Sequence, residues 1–121
     1  MLQNLSNAAE MAKRILIIED DAVVARLYQN RLRKEGYRVE IAAEGQEGFF
    51  TILKNKPDGV LLDLMLPNMD GIQILRKTRA QKQFETMPII VFSNSFISGM
   101  LDEAVSAGAT RVFNKSDPAT T

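Results

Sequence analysis

Residues 59–71 read GVLLDLMLPNMDG. The run at 59–62 is short and apolar, ends on the carboxylate of Asp63, and leads into a stretch punctuated by Pro67 and Gly71. A run of this length bounded by turn residues is the pattern of a strand buried on both faces, as in the middle of a parallel sheet. An acid at the carboxyl end of such a strand matters, because open α/β sheets bind ligands in the crevice outside those ends.

Four similar runs lie on either side: Arg14–Ile18, Arg38–Ala42, residues 89–92 and residues 110–113. Amphipathic segments separate them. The first carries Val24, Leu27, Tyr28, Arg31 and Leu32 at three-and-four spacing, with Asp20 and Asp21 placed as caps and Gly36 as a stop. A second helix is predicted over 46–54, burying Phe49, Ile52 and Leu53 and ended by the Lys56-Pro57 pair. A third, over 71–79, should bury Ile72, Ile74 and Leu75; a fourth, over 98–107, should bury Leu101, Ala104 and Val105. Right-handed crossovers then give an α/β fold, a doubly wound parallel sheet of five strands. Six residues follow Lys115, so the last helix is expected to be missing or truncated, with another surface covering its place beside the first helix.

Composition narrows the function. A chain of 121 residues, 45% hydrophobic, suits one domain with one core. Fifteen basic and fifteen acidic side chains cancel, and no basic stretch is long enough to track a nucleic-acid backbone, so direct nucleic-acid binding is not expected. Without cysteine or histidine there are no thiolate nucleophiles, no imidazole bases and no nitrogen or sulfur metal ligands. A metal held by this chain must be hard and oxygen-bound: magnesium, calcium or manganese. No apolar run approaches the roughly 20 residues that cross a bilayer, and no signal peptide is evident, so a cytoplasmic protein without membrane contact is expected. Residues 1–10 read as an N-terminal extension to a domain spanning 11–121, with Leu2, Leu5 and Ala9 on one helical face.

If the runs are parallel strands, Asp20, Asp21, Asp63 and Lys115 meet at one edge. Carboxylates about 4 Å apart repel by on the order of 1 kcal/mol per pair in water, and by more at lower dielectric; a cation cancels that cost. Asp21 and Asp63 are assigned as direct ligands of a magnesium ion, Asp20 as a ligand through water, and the Met65 carbonyl as a further one. Asp63, rigid at a central strand end, is the candidate nucleophile for an acyl phosphate. Lys115 and Ser93 would meet the phosphoryl oxygens, a task that needs positioning and charge more than acid-base groups. Read singly, the bland alternatives are ordinary: Asp20 and Asp21 as caps, Asp63 as a turn residue, Lys115 as a solvated charge, Ser93 as a local hydrogen-bonder.

Together the acidic pair in ILIIEDD, the acceptor in GVLLDLMLPNMDG, the hydroxyl in IIVFSNS and the lysine after GATRVF resemble the receiver domain of two-component response regulators, over roughly residues 14–115. The resemblance implies a flavodoxin-like sheet of order 2-1-3-4-5 and phosphorylation of Asp63 by a phosphohistidine on a partner. It also implies magnesium dependence, slow self-catalysed hydrolysis, and a switch in which Ser93 turns toward the phosphoryl group and alters the surface around the fourth helix and fifth strand. The expected partners are a sensor histidine kinase or histidine phosphotransfer protein and a downstream protein target. The chain would be a switch and not a turnover enzyme.

Three positions depart from the family pattern. Val112 stands where an aromatic residue usually lies, with Phe113 one residue later on the opposite strand face. Asn94 follows the hydroxyl where a small residue is usual, and Ser116, not proline, follows Lys115, leaving either a cis or a trans peptide there. These leave open a phosphorylation-independent receiver-like scaffold. An aspartate-nucleophile phosphatase is disfavoured by Met65, where that class carries a second acid, and a flavin site by the two acids after the first strand. The uncovered face beside the first helix would be met by pairing of two copies or by residues 1–10.

Overall fold

Short branched runs alternating with amphipathic segments fold as their periodicity dictates. The structure, a computed structural model, describes residues 12–93 and 99–114. Strands β1 (Arg14–Ile18), β2 (Arg38–Ala42), β3 (Gly59–Asp63), β4 (Ile89–Ser93) and β5 (Arg111–Asn114) form one parallel sheet of order β2-β1-β3-β4-β5, the flavodoxin-like arrangement. Helices α1 (Ala22–Lys34), α2 (Gly45–Asn55), α3 (Gly71–Arg79) and α4 (Met100–Ser106) connect them, with a 3-10 turn at Lys82–Phe84. Three strands end one residue further than expected, at Asp63, Ser93 and Asn114, because these residues are polar at the side chain while their backbones still pair, Asp63 with Phe92 and Ser93 with Asn114; β5 also starts one residue later, at Arg111. A ladder needs only main-chain groups.

The pleat divides the apolar residues between two layers of unequal depth. On one side Leu16, Ile18, Val60, Leu62, Ile89 and Val91 pack beneath Ile52 of α2, Ile74 and Leu75 of α3 and Ala104 of α4, most of them sealed from solvent. On the other side the buried apolar residues include Ile17, Ala25, Val39 and Phe92, ringed by the half-buried Ile15, Tyr28, Leu32, Tyr37 and Leu61. Among the described residues α1 alone covers that layer.

Two helix faces differ from expectation. In α4, Leu101 and Val105 point to solvent, Val105 at 61% exposure, while Met100, Ala104 and Ala107 face the core. Small residues at three-and-four spacing let a seven-residue helix approach the sheet closely, which the bulk of Leu101 and Val105 obscured. In α1, Val24, Tyr28 and Leu32 lean inward around buried Ala25, whereas Leu27 is 64% exposed. Val112 packs on the large core and Phe113 stacks on Phe92 on the opposite face, ring centroids 5.7 Å apart. Phe49 is half-buried beneath the Lys77 ammonium, and Phe50 is exposed.

Arg79 fastens the end of α3 to three other segments. Its Nη1 donates to the carbonyls of Phe84 (2.7 Å) and Met87 (2.6 Å), its Nε to that of Gly108 (2.8 Å), and its Nη2 to Thr110 Oγ1 (3.2 Å). Burial draws its pKa below the usual arginine value. A guanidinium nonetheless stays protonated across the physiological range, so the clip is no pH switch. Arg79→Ala strands those carbonyls and should lower unfolding free energy in urea by about 2–4 kcal/mol. Nearby, the buried Thr78 Oγ1 has no hydrogen-bond partner among the described residues. The isosteric Thr78→Val removes that desolvated hydroxyl and should raise stability by about 1 kcal/mol in the same titration.

Candidate functional site

At the carboxyl edge of the sheet β1 continues past Ile18, the Glu19 N–H donating to the Ala42 carbonyl at 3.0 Å. Since β1 and β3 pair with Ile18 opposite Leu62, the next residues, Glu19 and Asp63, arrive side by side. Both are buried, at 5% and 7% exposure. Asp20 follows in the open mouth of the crevice. Carboxylate oxygens of Glu19, Asp20 and Asp63 all lie within 4.8 Å of one another. Protein on two sides of the group lowers the dielectric below that of water, which enlarges the repulsion among the three and the gain from a cation.

Asp21 departs from its expected place. Its Oδ1 accepts from the N–H groups of Val23 (3.0 Å) and Val24 (3.2 Å), making it the N-cap of α1, and Glu19 completes the acidic group instead. The signal was present in IIEDD: a helix has one N-cap, the residue directly before the first helical one, and that residue is Asp21. Glu19 is the first residue beyond β1 and inherits its alternation.

The Met65 N–H donates to Asp63 Oδ1 at 3.1 Å, holding the carboxylate at the crevice floor. Met65 itself is exposed and, with Asp20, lines an open cleft of about 810 Å³ that runs toward Met100 and Glu103. Ser93, fully buried, ends β4 one residue beyond the partner of Asp63. The Ser93 hydroxyl therefore belongs to the strand beside that of Asp63. Lys115, Asn94 and the peptide between Lys115 and Ser116 lie outside the described residues.

The turn after Asp63 is pinned tightly. The Gly71 N–H donates to the Leu64 carbonyl at 2.9 Å, and a Cβ on Gly71 would sit 2.6 Å from Leu64 Cα and 2.8 Å from the Asp63 carbonyl oxygen. Only glycine fits. Asp70 caps α3 in a reciprocal box with Gln73: the Gln73 N–H donates to Asp70 Oδ1 (2.9 Å) and the Asp70 N–H to Gln73 Oε1 (3.2 Å). Asn68, at φ 70°, donates its side-chain amide to Glu44, and the Gly45 N–H reaches the Pro67 carbonyl at 3.3 Å. The loop is thereby tied to the start of α2.

Residues 15–120 match the response regulator receiver domain family. Similar solved structures include the BeF3-activated N-terminal receiver domain of RstA from Klebsiella pneumoniae, at 30% identity and TM-score 0.80 over 88% of this chain and 89% of that one. The receiver domain of a sensor histidine kinase from Pseudomonas aeruginosa, with a magnesium ion coordinated in its active site cleft, matches at 28% identity and TM-score 0.80 over 90% and 89%. The chemotaxis response regulator CheY4 of Vibrio cholerae matches at 25% identity and TM-score 0.82 over 88% and 89%.

The separate placements of Asp20 and Asp21 predict separate defects. Asp21→Ala should cost about 1 kcal/mol of stability in urea through the lost cap. Asp20→Asn should leave stability near the wild-type value or raise it, and should weaken magnesium binding, followed by calorimetric titration, far more than Asp21→Ala does.

Proposed function

The chain belongs to the response regulator receiver domain family of two-component systems, and on that premise we propose that Asp63 accepts a phosphoryl group from a phosphohistidine on a partner protein. The observation that carries the reading is the convergence of Glu19, Asp20 and Asp63 within 4.8 Å. Oxygen-only donors around a floor carboxylate fit magnesium: Asp20 and Asp63 as carboxylate ligands, the Met65 carbonyl beside them, and Glu19 reaching the ion through water. When bound, the ion supplies charge neutralisation to the incoming phosphoryl oxygens. The receiver domain from Pseudomonas aeruginosa holds magnesium in its cleft, which supports the same ion here.

A carboxylate oxygen of Asp63 attacks phosphorus. The P–N bond breaks with its electron pair returning to the imidazole nitrogen, and an acyl phosphate forms on Asp63. The Met65 N–H fixes the other oxygen, so the carboxylate enters the reaction already oriented. Ser93 donates its hydroxyl to a phosphoryl oxygen and Lys115 its ammonium to the same group, the roles the family resemblance gives them. These 121 residues contain no histidine, so the donor histidine lies outside them, on a sensor histidine kinase or phosphotransfer protein. The modification is stoichiometric and reverses by hydrolysis, so the chain acts as a switch for a downstream protein target and not as a turnover enzyme.

No described helix is long and apolar enough to cross a membrane. Exchange of a phosphoryl group with such a kinase places the domain in the cytoplasm. A scaffold that ignores phosphate is not favoured, because residues 15–120 match the receiver domain family and similar structures include a BeF3-activated receiver and one with magnesium in its cleft.

Incubation with magnesium and acetyl phosphate should add one phosphoryl group to the intact mass. The gain should vanish in Asp63→Asn and with EDTA. Absence of any gain under conditions that label an ordinary receiver would overturn the assignment.

A further inference from the structure

The turn that carries Met65 is closed at its ends and gripped once in its middle. The Gly71 N–H meets the Leu64 carbonyl across its base, and the Met65 N–H donates to Asp63 Oδ1. Among the described residues, 66–69 reach another element by hydrogen bond at the start of α2 alone: Asn68 Nδ2 donates to Glu44 Oε2, and the Gly45 N–H to the Pro67 carbonyl at 3.3 Å. The Gly45 backbone lies so close that a Cβ there would overlap the Met69 carbonyl oxygen. Leu66 and Met69 pack on the large core, but apolar burial has no direction, so it sets the depth of the turn while the hydrogen bonds set its course.

Both residues that begin α2 are poor choices for the helix itself. Glu44 holds the N-cap position with extended backbone (φ −145°, ψ 163°), where Ser, Thr, Asp and Asn are favoured, and its side chain makes no capping bond. Gly45, the first helical residue, is among the least favourable helix formers. The turn accounts for both. The Glu44 carboxylate accepts from Asn68 instead of capping its own helix, and the missing Cβ of Gly45 admits Met69. Asn68 suits the contact as well: its φ of 70° lies in the left-handed region, where asparagine is enriched, and its amide supplies the donor.

We infer, on the magnesium site proposed for the domain, that Glu44 is a positioning residue for that site, acting through Asn68. Contact runs from Glu44 through Asn68 and the turn to the Met65 peptide, whose N–H holds Asp63 and whose carbonyl is a proposed ligand. Fixing that peptide before the ion arrives lowers the ordering cost of binding. Releasing the turn weakens the metal without removing a ligand. The role is geometric: glutamine at position 44 keeps an acceptor for Asn68 and loses only the charge.

Calorimetric titration of the 121-residue chain with magnesium is the test. Glu44→Ala should weaken binding about threefold to tenfold, as expected for one hydrogen bond. Asn68→Gly, which tolerates the positive φ and removes the amide, should weaken it equally, and the double variant no further than either single. Glu44→Gln should keep wild-type affinity, as should Glu47→Ala, which removes an exposed acid from the same first turn of α2. In the metal-free chain the Met65 amide should exchange faster in Glu44→Ala and Asn68→Gly, and at the wild-type rate in Glu44→Gln. If wild type binds magnesium and Glu44→Ala and Asn68→Gly bind it equally well, the positioning role is overturned while the site stands. Glu44→Gln as weak as Glu44→Ala assigns the effect to charge and overturns it too. A wild type that binds no magnesium overturns the site itself, a result distinct from both. Should Glu44→Ala perturb folding, Asn68→Gly decides.

Discussion

Three carboxylates held within 4.8 Å of one another at the edge of a parallel sheet are the constraint around which this domain is organised. Left alone they repel by about 1 kcal/mol per pair or more, and nothing in their own chemistry would bring them together. Backbone pairing does so: Ile18 lies opposite Leu62, so the residues that follow each must share one crevice. Behind them Leu16, Ile18, Leu62, Ile74, Leu75 and Ile89 are almost wholly removed from water. At about 1.5–3 kcal/mol for each such side chain, the core outweighs the repulsion several times over. The domain can hold clustered acids at this edge because its apolar layer is deep.

Depth alone does not orient the Asp63 side chain. The turn from Asp63 to Gly71 does, through the Met65 N–H on the carboxylate, the missing Cβ of Gly71 against Leu64, and the Asp70–Gln73 box that starts α3. In the function proposed for the domain the cation and the phosphoryl group meet the same carboxylate, so an error in this turn would disturb both.

Much of this is legible in the sequence because period-two and period-three-and-four patterns report burial directly. The five strands and the strand-end position of Asp63 follow from them, and the family resemblance supplies the strand order. The acidic group is not fully legible: adjacent acids in EDD are hard to tell apart by type, and only the cap geometry of α1 separates Asp21 from the pair that faces the crevice. Hydropathy misleads on the inward face of α4 because alanines, not Leu101 and Val105, make the contact, and packing distance is invisible to it. It also ends three strands short, at Asp63, Ser93 and Asn114, because side-chain polarity says nothing about main-chain pairing.

The two faces of the sheet thus differ, a sealed layer beneath α2, α3 and α4 that fixes the acids, and a shallower layer beside α1. The function proposed for the domain requires that the acids form one divalent site. Paramagnetic broadening by manganese(II), read amide by amide, tests it most directly. Saturable broadening is expected, centred on Glu19, Asp20, Asp63 and Met65, relieved by excess magnesium and weakened in Asp20→Asn. Broadening centred elsewhere, or none at concentrations that saturate an ordinary receiver, would contradict it.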